Sequence, residues 1–176
     1  MNLNKLKDIK KGLDCVVFTC GPSFKEYNKE KLNEFCKGKV IICVKEAILE
    51  YGYVCDYFFS NFLRHRDYNL DKTKSSCIKI HQRSLKYSPK DLSNYDIVID
   101  EDRPFNSKNQ LLKKKNFEDY DFKNKQKRPW GPGILYESVF YFCKHIGCKN
   151  IFTIGWDLID NKKSKKLTHY FDEKKK

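Results

Sequence analysis

The chain alternates short, nearly unbroken apolar runs with polar segments, and that rhythm limits its fold more than any other feature. The runs are "DCVVFTC" (14–20), "KVIICV" (39–44), "CDYFFSN" (55–61), "SSCIKIHQ" (75–82), "YDIVIDE" (95–101) and "NIFTIGWD" (150–157). They are rich in β-branched and aromatic residues and bounded by charge or glycine, as strands covered on both faces are. Between them lie helical patterns. "SFKEYNKEKLNEFCK" (23–37) sets Phe24, Tyr27, Leu32 and Phe35 at helical spacing, and "KEAILEYG" (45–52) reads as a short helix ended by Gly52. "PGILYESVFYFCKHIG" (132–147) turns Ile134, Val139, Phe142, Cys143 and Ile146 toward a core, with Gly147 as a stop signal. Strands alternating with helices predict parallel βαβ units. The expectation is an α/β protein: a single Rossmann-like domain, mostly parallel sheet with helices on both faces. No internal repeat is visible.

The 176 residues suit one domain, 1–176, with one substantial core. Segment 102–130 lacks periodicity and is rich in Lys and Asn. So long a loop in a compact domain predicts a mobile cover or insertion. Segment 158–176 reads as a polar lid or tail. No apolar run reaches the roughly 18 residues that span a bilayer. The basic start "MNLNKLKDIKKG" has no apolar core or small-residue cleavage site after it, so no secretory signal is expected. The eight cysteines form no CxxC pair, and several sit inside apolar runs. They read as small buried hydrophobes in a reducing compartment, without structural zinc.

The formal charge of +13 admits nucleic acid, an anionic membrane surface or acidic small molecules as partners, and equally a lysine-rich solvated surface. The lysines do not alternate with exposed aromatics on one strand, so no nucleic acid is expected. A basic tail adds attraction to anionic lipid of about 1 kcal/mol per charge.

In open α/β sheets ligands bind beyond the carboxyl ends of the strands. "TCGPS" (19–23) ends the first run. Gly21 allows positive φ or close backbone approach to a ligand, Pro22 suits the first turn of a helix, and Ser23 can cap it or meet a phosphate. The amides at such a helix start attract an anion. The same five residues also describe an ordinary βα corner. They fit neither GxGxxG nor the P-loop pattern. "WGPG" (130–133) repeats the device before the long helix, and Trp130 can stack on a base or pack beneath the loop. Lys45 follows the second run, Asn61 the third, Asp100 to Asp102 the fifth and Asp157 the last. His169, in "THYFDE", has an ordinary pKa of about 6.5 that suits a general base, and a surface tail histidine reads the same way.

The ordered motifs "CGPSF", "YFFSN", the small-residue turn "GPG" opening a helix, and "IGWD" resemble the bacterial CMP-sialic-acid-dependent sialyltransferases (glycosyltransferase family 42). They also resemble a wider group that includes archaeal-type 6-hydroxymethylpterin pyrophosphokinases. The resemblance covers most of residues 16–172 through short motifs in order. It implies a GT-A-like variant of the fold. It assigns nucleotide binding to Gly21, Pro22, Ser23, Lys45, Asn61, Gly131, Pro132, Gly133 and Asp157, and the catalytic base to His169. Lys45 stands where the sialyltransferases keep asparagine, and Gly131–Pro132 replace their Thr-Ser. Lysines 162, 163, 165 and 166 lie between Asp157 and His169, a stretch without tyrosine.

The expected activity is a glycosyltransferase. It moves a sugar, sialic acid or a related acid sugar among the candidates, from a CMP- or other nucleotide-activated donor to a glycan or glycolipid acceptor. No metal or other cofactor is required in that scheme. The expected place is cytoplasmic, peripheral on the inner membrane face. Two rivals stand beside it. One is a Mg²⁺-dependent diphosphotransferase of the pterin type, its metal on Asp100, Glu101 and Asp102. The other is a non-catalytic basic nucleotide- or nucleic-acid-binding domain.

Overall fold

The computed structural model describes residues 1–61, 70, 73–83, 91–100 and 134–157. The expected cover at 102–130, the turn Gly131–Pro132–Gly133 and the tail 158–176 with His169 lie outside the described residues.

Six strands form one parallel sheet: β1 (Cys15–Phe18), β2 (Val40–Val44), β3 (Tyr57–Ser60), β4 (Ile78–Arg83), β5 (Ile97–Asp100) and β6 (Ile151–Ile154). Their order is β5-β4-β3-β2-β1-β6, and every adjacent pair is parallel. The chain is therefore an α/β protein with a Rossmann-like sheet. The three central strands β1, β2 and β3 are buried at every position. That burial on both faces is why their sequences read as continuous apolar runs.

The period of two divides the core into two layers. Val16, Phe18, Ile41, Cys43 and Phe58 face one way, onto α1 (Lys29–Cys36), α2 (Ile48–Tyr51) and Phe24. Val17, Ile42, Val44, Tyr57, Phe59 and Ile80 face the other way, onto α3 (Ile134–His145). Phe142 of α3 wedges between Tyr57 and Phe59, with ring centroids 4.9 and 5.0 Å away. On the opposite face Phe18 stacks on Tyr51 at 4.1 Å.

The expected helix at 23–37 is two pieces. Pro22–Glu26 is a 3-10 turn, Tyr27 is extended, and α1 starts afresh at Lys29. Asn28 causes the restart, because its side-chain oxygen accepts from the Lys31 N–H at 2.9 Å and caps a new helix. The reset phase buries Phe24, Leu32 and Cys36 and leaves Tyr27 and Phe35 exposed. Phe35 instead meets Phe152 of β6 edge-on at 5.1 Å, beneath the Lys39 ammonium. Gly52 is the C-cap of α2, as expected, but its φ of −57° is right-handed and carries the backbone on into a 3-10 turn, Gly52–Val54.

Gly147 does end α3, at φ +87°. The N-terminal segment then closes that helix end: the N–H groups of Asp8, Lys10 and Gly12 donate to the carbonyls of His145, Ile146 and Gly147 at 2.8–3.0 Å. The helix carbonyls that lack an intrahelical partner are satisfied in this way. All eight thiols are free, and seven are buried. No helix among the described residues is long and apolar enough to cross a membrane.

Candidate functional site at the carboxyl edge of the sheet

From β1 to β5 the sheet grows in one direction, and β6 then returns to the other side of β1. The direction therefore reverses between β1 and β6, where open α/β sheets form their ligand crevice. The two strand ends are lashed together there. Thr19 donates to Ile154 O through its amide (2.8 Å) and its hydroxyl (3.0 Å), and Gly21 N donates to Gly155 O at 2.8 Å. Ser23 N donates to Asp157 Oδ2 at 2.7 Å, and the Ser23 hydroxyl donates to Asp157 Oδ1.

This geometry changes the reasons given for "GPS". Gly21 has φ −72°, so it does not need left-handed backbone. It is glycine for room, because a Cβ would collide with Gly155 O and the Asp157 carboxylate. Gly155 takes the positive φ instead, +72°. Pro22 does occupy the first position of its turn, but Gly21 is the cap residue and makes no side-chain cap bond. The Ser23 amide and hydroxyl, expected on a phosphate, both hold Asp157. A five-residue 3-10 turn also lacks the aligned peptides of a long helix. The corner is thus a seat for a carboxylate supplied by the chain itself. Asp157 is half-buried. Each carboxylate oxygen can accept more than one hydrogen bond, so it can still receive hydroxyl groups from a ligand.

One strand along, β2 is followed by Lys45, a non-glycine residue at φ +53°. Such backbone costs about 1–2 kcal/mol. Cys20 fills the gap between β1 and β2, its thiol 3.3 Å from Val44 O and 3.4 Å from Glu46 Oε2. Burial, and next the Glu46 carboxylate, push the Cys20 thiol up to about 12. It stays protonated at neutral pH and is a poor nucleophile.

Further along, near the ends of β3 and β4, lies a group of polar residues: Ser60, Asn61, His81 and Gln82. Ser60, His81 and Gln82 are each 2% exposed or less. On one face Tyr95 donates its hydroxyl to Ser60 Oγ at 3.2 Å, with its ring 4.8 Å from His81. Asn61 Oδ1 and Gln82 Oε1 are buried and have no hydrogen-bond partner among the described residues. Sequence reasoning picked Asn61 and missed His81, Gln82 and Tyr95. The signal was present in "IKIHQ", a strand covered on both faces that finishes in two polar residues.

The structure therefore brings Gly21, Pro22, Ser23 and Asp157 into one corner, with Lys45 and then Asn61 at successive strand ends along the same edge. Gly131, Pro132, Gly133 and His169 lie outside the described residues. Trp156 packs against Phe140 of α3, with centroids 4.7 Å apart. Among the described residues no group of three or more His, Cys, Asp or Glu side chains could hold a metal ion.

Fold and edge together define an α/β protein with a parallel sheet and polar residues gathered at its carboxyl end. A scan against protein-family models and searches of curated proteins and of solved structures found no match. The likeness to sialyltransferases rests on the short motifs alone.

Proposed function

We propose that the chain binds a nucleotide-activated sugar along the carboxyl edge of its sheet and transfers the sugar to an acceptor hydroxyl. The observation that carries this reading is the Ser23–Asp157 corner at the point where strand order reverses. A carboxylate held rigid by two donors accepts the vicinal hydroxyls of a ribose, as acidic residues do in dinucleotide sites. The phosphate then has no place on the Ser23 amide. It rests near Lys45, the next strand end and a source of positive charge. From the β6–β1 boundary to the β3–β4 boundary is three strand spacings, about 14 Å. Ribose, phosphate bridge and transferred sugar laid end to end fit that run.

In this reading His169 takes the proton from the acceptor, and Gly131–Pro132–Gly133, just ahead of α3, approach the nucleoside. The protein acts in the cytoplasm, with the basic 158–176 tail on an anionic membrane face that carries the acceptor.

The test is a thermal-shift panel of CMP, UDP, GDP, ADP and ATP, each with and without Mg²⁺. Metal-free stabilisation by CMP or another nucleotide supports the reading. Stabilisation by ATP only with Mg²⁺, with ATP consumption, would point to diphosphoryl transfer instead. No shift with any nucleotide overturns the reading. Asp157→Asn should weaken binding of the active nucleotide about tenfold or more, since one charged hydrogen bond is worth about 1.5–3 kcal/mol. His169→Ala should abolish transfer and keep nucleotide affinity; wild-type turnover in that variant rejects the base assignment.

A further inference from the structure

Gln82 is 2% exposed, yet its Oε1 has no hydrogen-bond partner among the described residues. Asn61 Oδ1 is in the same condition one strand away. The β3–β4 register runs from Tyr57↔Ile78 to Ser60↔His81, and one further step sets Asn61 opposite Gln82. Alternation along the strands places both on the face of Phe59 and Ile80, the layer that packs on α3. Two unmet buried acceptors side by side cost the fold about 1–3 kcal/mol each. Apolar side chains of the same size would remove that cost, as they do at the positions before them, Phe59 and Ile80. Polar groups left unmet in a core call for a specific use.

The chemistry of the pair narrows that use. Both groups are neutral, and the buried ends are carbonyl oxygens, which accept and do not donate. Adjacent acceptors match adjacent O–H donors. A carboxylate or phosphate oxygen would meet these two oxygens lone pair to lone pair, and could bond only to the N–H groups of the two carboxamides.

We infer that Asn61 and Gln82 form the sugar subsite of the edge and select an uncharged sugar with neighbouring hydroxyls over an acid sugar. The inference rests on the nucleotide-sugar reading and departs from the acid sugar that the motif resemblance implies. It adds Gln82 as a specificity-determining residue. The subsite lies at the far end of the edge from Asp157, so the nucleotide and the sugar are read by separate groups.

Calorimetric titration of the full chain separates the two. The probes are UDP, UDP-glucose and UDP-glucuronate, then CMP with CMP-sialic acid, and GDP with GDP-mannose. The neutral-sugar donor should bind at least tenfold tighter than its bare nucleotide, and an acid-sugar donor should show no such gain. Gln82→Met should abolish the gain and leave bare-nucleotide affinity and the ligand-free melting temperature equal or higher. If Gln82→Met does not fold, Asn61→Ala at the more open position should give the same selective loss. An acid-sugar donor that binds as tightly as the neutral one overturns the inference. So does a Gln82→Met protein that melts higher and keeps the sugar gain, because the carbonyl then serves no ligand. Nucleotides that bind with no sugar discrimination sink the inference alone. A chain that binds no nucleotide at all removes the nucleotide-sugar reading, and the inference with it.

Discussion

The two edges of the sheet use polar residues in opposite ways. At the amino edge, aspartates precede alternate strands in sequence: Asp14 before β1, Asp56 before β3 and Asp96 before β5. Their side chains are all engaged. Asp56 Oδ2 accepts from Ile41 N at 2.9 Å, Asp96 Oδ2 from Lys79 N at 2.8 Å, and Asp14 Oδ1 from Asn150 Nδ2 at 2.8 Å. Each carboxylate reaches to the neighbouring strand or its approach and helps to fix register. At the carboxyl edge, Asn61 and Gln82 hold buried acceptors that meet no donor among the described residues, and Lys45 sits in strained backbone. The amino edge is finished as a structure. The carboxyl edge is left with unmet capacity, which is where a parallel sheet offers its ligand site.

Alkali should affect the amino edge most, and with the largest effect. Four buried or half-buried thiols whose pKa is raised stand at or just before strand starts: Cys15, Cys55, Cys77 and Cys148. Contacts with neighbouring thiols and burial raise them. Cys20 is the matching thiol at the carboxyl edge, at about 12. A thiol with its folded pKa above the unfolded value near 9 stabilises the fold below pH 9. That stability is lost as pH rises from about 9 toward the folded value. The expected slope is on the order of 1.4 kcal/mol per pH unit for each such thiol. Urea midpoints from pH 8 to 11 measure it. A flat profile contradicts the burial argument, and a profile flattened more by Cys20→Ala than by Cys55→Ala reverses the assignment of edges.

Next in size, Gly21→Ala should destabilise by about 3 kcal/mol, since the added methyl meets a backbone oxygen and a carboxylate that Ser23 holds in place. An unchanged urea midpoint would show that the corner is loose. Asp56→Ala should cost about 1–3 kcal/mol, because it strips the Ile41 N–H of its acceptor. Nucleotide affinity should stay as in the wild type. A loss of affinity there would erase the distinction between the edges. The smallest effect belongs to Lys74→Met, which removes an ion pair with Asp56 at 2.9 Å. Asp56 holds the Lys74 ammonium above its ordinary pKa. The lysine is largely exposed, however, so screening leaves about 0.5 kcal/mol.

The sheet was legible in the sequence because burial on both faces writes an unbroken apolar run into β1, β2 and β3. Strands β5 and β6 keep β-branched and aromatic residues even where Val98 and Phe152 are exposed. The long helix was legible for a similar reason: Val139, Phe142, Cys143 and Ile146 hold one stripe, and Gly147 has no competitor as its end. The break at Asn28 was not. An asparagine inside a helical pattern and an asparagine that caps a new helix look alike until its side chain is seen on the Lys31 amide. The carboxyl edge was half legible. Its glycines and Asn61 stood out as turn chemistry. Gln82 did not, since it stands one residue before the end of a strand that carries no glycine, and the cue was polarity in a buried place. The union of Ser23 with Asp157 spans 134 positions in sequence. No local pattern encodes it, and it turned an expected phosphate seat into a carboxylate anchor.

The place of β1 has a consequence for how the chain is made. β1 leaves the ribosome well before β6, yet it lies inside the sheet with β2 on one side and β6 on the other. Until the residues around Ile154 emerge, its second flank is an open ladder of hydrogen-bonding groups, the kind of edge that recruits other chains. Contacts between segments so far apart in sequence also form late and slowly. Truncations that remove β6 should therefore aggregate during synthesis, whereas a chain that carries β6 hides that flank as soon as it docks.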